Sequence, residues 1–161
     1  MEIEGKGLMR VKIEHRLGIP APAEAIWAAI ADIAAWPAWN PLYTKVEGTL
    51  RIGAPLVLEV ALPSQRPRTI RATVSDWVPN EQILWKVSLA GGLVKTIRYI
   101  EIEQLAETGC IFSNGEMFEG LLGPTLARRM RPAIRAGFAA MGEAVKARTL
   151  AAWRPDASGP N

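Results

Sequence analysis

The sequence predicts an α+β protein in which one twisted antiparallel sheet wraps around a long C-terminal helix. Three observations predict it. Apolar residues recur at every second position in successive runs between residues 42 and 118. A helical period takes over across residues 124–150. One earlier strand and two short helices precede the run of strands, so the helices are segregated from a continuous meander.

The first strand is read from Val11, Ile13, His15 and Leu17, which alternate with Lys12, Glu14 and Arg16. Ile19-Pro20-Ala21-Pro22 ends it, and Pro22 suits a helix's first turn, with Glu24 favourable to the positive end of the dipole. Ile26, Trp27 and Ile30 form one apolar stripe on that helix. A stiff corner follows, Trp36-Pro37-Ala38-Trp39-Asn40-Pro41. Two prolines make it a poor helix and a poor strand, and two large aromatics there must be buried. Trp36 and Trp39 either plug the end of a core or wall the entrance of an apolar cavity.

Strands are then expected at 42–46, 56–62, 70–75, 83–88, 96–105 and 110–118, giving a seven-stranded sheet with the first. Between them lie breakers such as Gly53-Ala54-Pro55, Pro63-Ser64-Gln65-Arg66-Pro67, Pro79-Asn80-Glu81 and Gly91-Gly92, the punctuation of hairpins. Over 124–150, Leu126, Met130, Ile134, Gly137, Phe138, Met141 and Val145 share one helical face. Pro132 should kink this helix or split it. One domain is expected over residues 1–153, with a frayed tail over 154–161.

Charge and composition exclude several classes. The net charge is +3, and both signs are mixed along the chain. Arg128, Arg129, Arg131 and Arg135 cluster, but no aromatics interleave with them, so they read as a solvated helix face and no nucleic-acid partner is expected. Residues 1–10 hold no apolar leader, and the Ala-rich stretch is too interrupted to span a membrane. The single Cys110 allows no internal disulfide, which suits a reducing cytoplasm. One His and one Cys leave little for a metal, and neither metal nor other cofactor is expected. No oligomeric state is legible.

A long helix with one apolar face needs a surface, and a strongly twisted sheet offers a concave one. Space is left where a slim, Met-containing helix does not fill the concavity, and such pockets take small, largely apolar molecules.

The strand-helix opening Ile19-Pro20-Ala21-Pro22-Ala23-Glu24-Ala25-Ile26-Trp27, the corner at 36–41 and the late segment Gly115-Glu116-Met117-Phe118-Glu119-Gly120-Leu121-Leu122-Gly123 together resemble the SRPBCC superfamily. This is the START, polyketide cyclase and Bet v 1-like group with the helix-grip fold, and the likeness is to its bacterial polyketide cyclase/dehydrase-like members. It covers about residues 10–150 in the right order. It implies the fold and a cavity between sheet and helix, and it brings no catalytic motif. The members include lipid carriers, aromatase/cyclases, hormone receptors and Hsp90 activators.

By that resemblance the first and last strands are neighbours and the Arg98 face points inward. Parity then aims Val11, Ile13, His15 and Leu17, and Cys110, Phe112, Asn114, Glu116 and Phe118, at the cavity. His15 is expected near Asn114 or Glu116. The apolar lining is expected from Trp85, Ile100, Phe112, Phe118, Met130, Ile134 and Phe138, with Trp36 and Trp39 at the entrance. His15, Arg98, Asn114 and Glu116 either orient a ligand's oxygens and move a proton, or form a structural set with Glu116 paired to Arg98 and His15 hydrogen-bonded in the sheet. The leading expectation is binding or transport of a small hydrophobic molecule, lipid-like or polyketide-like. A cyclase/dehydratase-like enzyme and an Hsp90-activator-like interaction module are the alternatives.

Overall fold

A computed structural model describes residues 9–155. Residues 1–8, which carry most of the segment read as leaderless, and 156–161, most of the expected tail, lie outside the described residues. The chain forms β1 (Val11–Ile19), α1 (Ala23–Ile30), a 3-10 turn (Ile33–Ala35), α2 (Trp36–Trp39), β2 (Tyr43–Gly48), β3 (Pro55–Val60), β4 (Arg68–Val78), β5 (Gln82–Leu89), β6 (Val94–Ala106), β7 (Gly109–Glu119) and α3 (Gly123–Ala152). The seven strands make one antiparallel sheet in the order β1-β7-β6-β5-β4-β3-β2. Strands β2 to β7 are thus a meander, and β1 is added beside the last of them.

Register breaks in β2 (Tyr43/Lys45), β4 (Val74/Asp76) and β6 (Gln104/Ala106) mark bulges, which bend and further twist a sheet. The concave face so produced is apolar: Ile13, Leu56, Leu58, Val74, Ile83, Trp85, Ile100 and Phe112 point into it, each almost wholly buried. Helix α3 lies in the concavity and packs chiefly on β1, β7 and α1. Its buried positions, among them Ala127, Ile134, Gly137, Phe138, Met141, Gly142, Val145 and Thr149, follow the stripe read from the sequence. Small residues let it come close. A Cβ added at Gly142 would sit 2.8 Å from Leu17 Cδ2, and one at Gly137 2.9 Å from Leu62 Cδ2 and 3.0 Å from Leu42 Cδ1.

Two local expectations are narrowed. Pro132 does not split α3, which runs unbroken from Gly123 to Ala152. Pro132 and Arg128, whose carbonyl loses its helical donor to the proline ring, are both exposed, on the face of α3 turned away from the sheet. The second of the two expected short helices falls in the corner at 36–41, where Trp36–Trp39 closes a single turn through the Asn40 N–H to the Trp36 carbonyl at 2.7 Å. Pro37 stands at the start of that turn, where no backbone donor is required.

Candidate functional site

The first half of α3 stands over β2 to β7 without touching them everywhere, and a cavity of about 580 Å³ lies between. Its apolar wall comes from Leu42, Val60, Leu62, Ile70, Trp85, Val87, Phe118, Leu126, Met130, Ile134 and Phe138. Polar groups are few. Tyr43, Thr96, Arg98 and Glu116 border it toward the sheet interior, and Gln65, Arg66, Arg68 and Arg129 toward solvent. Both the size and the sparse polar content are those of a pocket for a small organic ligand.

Arg98 is the organising side chain. It points inward from β6, a large cation with 2% of its surface exposed. Its Nε donates to the Tyr43 hydroxyl at 3.0 Å, Nη1 to the carbonyls of Tyr99 and Gly115 at 2.6 and 3.2 Å, and Nη2 to Asn114 Oδ1 at 2.9 Å. Met141 Sδ lies 3.7 Å from Nη2. Aromatic faces surround the guanidinium, with Cζ 4.3 Å from the Phe138 centroid, 5.4 Å from Trp85 and 5.9 Å from Tyr43. Asn114 Nδ2 in turn donates to the Phe138 carbonyl at 3.2 Å, tying β7 to α3. A buried cation is tolerable only when its donors are met, and here oxygen acceptors and π-faces meet them.

Glu116 is the cross-strand partner of Arg98, yet no ion pair joins them among the described residues. The expected structural pair is therefore not formed, because Arg98's donors are already engaged elsewhere. Glu116 borders the cavity. Burial raises its carboxyl above the ordinary carboxylate range, and the Arg98 charge offsets part of that rise. The Thr96 hydroxyl itself is buried with no hydrogen-bond partner among the described residues. Burial likewise raises the Tyr43 phenol, with Arg98 opposing, so Tyr43 stays protonated. Its oxygen accepts from Arg98 while its proton remains free to donate.

The sequence-predicted residues divide into two sets. Trp85, Arg98, Glu116, Phe118, Met130, Ile134 and Phe138 border the cavity. Trp36, Trp39, His15, Ile100, Phe112 and Asn114 do not. Trp36 is not at an entrance: its Nε1 donates to the Ile30 carbonyl at 2.9 Å, and its ring stacks on Tyr43 and leans on Trp85 behind the wall. Trp39 lies beside Arg148, whose Cζ is 5.2 Å from its centroid, at the other end of α3. His15 faces Asn114 in register, as expected, but its ring lies under Gly142, and its Nδ1 has no partner among the described residues. Helix packing thus separates it from the cavity, and it is not hydrogen-bonded in the sheet through that nitrogen. Ile100 and Phe112 are fully buried in the core, away from the cavity. Asn114 acts through Arg98. Cys110 is buried with its thiol pushed up by desolvation, the state of a small apolar residue.

Tyr43, Thr96 and the rim residues Gln65, Arg66, Arg68 and Arg129 are absent from the sequence-based set. Parity signalled Thr96, two residues before Arg98 on the same face. Arg66 sat within a segment read only as a turn, Arg68 just beyond it, and Arg129 on a face read only as solvated.

A grip of sheet on helix around an apolar cavity with a buried polar corner defines a class of small-molecule-binding proteins. The chain belongs, over residues 10–146, to the family described as polyketide cyclase/dehydrase and lipid transport. No curated protein matches it. Among solved structures it is similar to norcoclaurine synthase from Thalictrum flavum in complex with dopamine and hydroxybenzaldehyde, at 18% identity and a TM-score of 0.69, covering 96% of this chain and 98% of that one. It is also similar to the Zhui aromatase/cyclase of a Streptomyces species, at 20% identity and a TM-score of 0.70, over 88% and 94% of the two chains. Likeness at such identities is one of fold. No helix among the described residues is long and apolar enough to cross a membrane.

Proposed function

We propose that this protein binds a small, largely apolar molecule bearing one or two oxygen functions, lipid-like or polyketide-like, in the cavity under α3. The observation that carries this is a cavity of about 580 Å³ whose mainly apolar wall is interrupted toward the sheet interior by Tyr43, Thr96, Arg98 and Glu116. Apolar walls hold the body of such a ligand, and the unengaged Thr96 hydroxyl, Tyr43 proton and Glu116 carboxyl select its oxygens. A reducing cytoplasm suits its one buried thiol, Cys110.

A second reading, a cyclase/dehydratase-like enzyme, is favoured by one specific pairing. Tyr43, with its oxygen held by the Arg98 cation, is a donor for a ligand carbonyl. Glu116, with its raised carboxyl, is suited to take or return a proton at the adjacent carbon. Carrier and enzyme share one cavity and differ only in whether that pair turns a bound ketone over.

An environment-sensitive dye or a fluorescent fatty acid should bind with one-site saturation, and Met130→Trp should weaken binding by narrowing the chamber under α3. A folded Met130→Trp protein that binds the probe as before would remove the cavity from consideration. Loss of turnover of a poly-β-ketone in both Tyr43→Phe and Glu116→Gln, with binding retained, would establish the enzyme.

A further inference from the structure

Resting on the cavity reading above, we infer that the cavity's solvent end is an anion site. There Arg66, Arg68 and Arg129 receive the carboxylate or phosphate of an amphipathic ligand whose apolar body lies inside. The three reach the cavity from separate elements: Arg66 from the turn between β3 and β4, Arg68 from the first residue of β4, Arg129 from α3. Gln65 joins them with an amide that can donate. None of the three takes part in an ion pair or side-chain hydrogen bond among the described residues, although the exposed Arg10 and Arg16 both find glutamates. Guanidinium groups are weakly hydrated and present paired donors that match carboxylate and phosphate oxygens. Three of them around one opening of an apolar chamber, with no acid to meet them, leave an anion as the complementary group.

The only carboxylate bordering the cavity among the described residues, Glu116, makes no ion pair with any of them. Val74, Trp85, Arg98 and Glu116 stand level across β4, β5, β6 and β7, so Glu116 is three strands from β4. Arg68 lies six residues further along β4 than Val74. In an uncurved sheet that is roughly 14 Å across and 20 Å along. Curvature shortens this, yet Arg68 stays exposed at the solvent end while Glu116 lies toward the sheet interior. The cavity therefore has a cationic outer end, an apolar middle, and an inner end where Glu116 stands beside Arg98. A ligand with one anionic end is held head outward, because Arg98 already spends its donors on Tyr43, Tyr99, Gly115 and Asn114 while the rim arginines have theirs free among the described residues.

The test is displacement of a neutral fluorescent probe at pH 8 by dodecanoate, dodecyl phosphate, methyl dodecanoate and dodecanol. At least one of the two anions should displace the probe at about tenfold lower concentration than dodecanol, the sum expected of a few solvent-exposed ion pairs. Preference for only one of them identifies which anion the rim was built for. In Arg66→Gln/Arg68→Gln/Arg129→Gln that advantage should vanish while dodecanol binds as before, which also shows that the variant is folded. Arg129→Gln alone should remove part of it. Equal displacement by the neutral compounds and both anions would overturn the anion site and leave the cavity reading standing. An anion preference that survives the triple substitution would overturn it as well. Failure of every compound to compete with a bound probe, or of any probe to bind, would overturn both.

Discussion

The two halves of α3 meet the same concave sheet in opposite ways. From Met141 onward the helix is packed solid: Met141, Val145 and Thr149 are wholly buried, Gly142 admits Leu17, and Arg148 Nε reaches the Ala29 carbonyl of α1 at 3.3 Å. From Leu126 to Phe138 the helix roofs a chamber, and Leu126 and Met130 remain half-buried over it. The Arg98 network stands at the junction, bonded through Asn114 to the Phe138 carbonyl. One continuous helix thus serves as a core element along one half and as a lid along the other. Stability resides where no ligand reaches, so the lining of the chamber is free to be chosen for its ligand.

The largest effect should come from removing bulk in the solid half. Phe112→Ala is expected to cost about 3–5 kcal/mol, whereas Met130→Ala, whose side chain already borders open space, should cost about 1 kcal/mol. Urea midpoints of the two variants measure the contrast, and equal losses would erase the distinction between the halves. Arg98→Leu at the junction should cost about 3 kcal/mol, since buried acceptors on Asn114, Tyr99 and Gly115 lose their donor at about 1–3 kcal/mol for each group left unmet. A near-neutral Arg98→Leu would mean that the cation is held for the ligand and not for the fold.

The smallest effect is a pH dependence at Glu116. Its folded carboxyl is raised above the unfolded value of about 4.3, so between the two values the native state binds more protons than the unfolded state. Stability should therefore fall as pH rises through that window, then level off above the folded value. Glu116→Gln should lack this slope and melt slightly higher than wild type at neutral pH, with a changed ligand preference. Thermal melts from pH 4 to 8 check it. A Glu116→Gln protein that melts lower at neutral pH, with its ligands unchanged, would make the carboxylate a structural partner after all.

The sheet and its helix were legible because alternation and the 3.6-residue stripe are local, and the strand runs and the buried face of α3 follow them. Part of the site was legible for the same reason: Arg98, Glu116 and Phe118 lie on strands whose parity aims them inward. What parity does not contain is the distance between helix and sheet. Phe112 and Phe118 have the same parity on β7, yet one is sealed in the core and the other borders the chamber. His15 is aimed inward too, and Gly142 brings the helix down over it. The rim was illegible for another reason. Gln65 and Arg66 sit in a Pro-bounded turn, Arg68 just past it, and Arg129 on an exposed face, and only folding brings them to one opening.

The placement of β1 beside β7 has a consequence for biosynthesis. Val11 pairs with Phe118, so the first strand to emerge waits for the last, roughly a hundred residues later. At about 5–20 residues per second that is on the order of ten seconds with one sheet edge unformed. Over this interval β1 offers unpaired backbone to any neighbouring nascent chain. Its outward residues Lys12, Glu14 and Arg16 put charge of both signs along that strand, an arrangement that disfavours pairing with a second copy until β7 arrives.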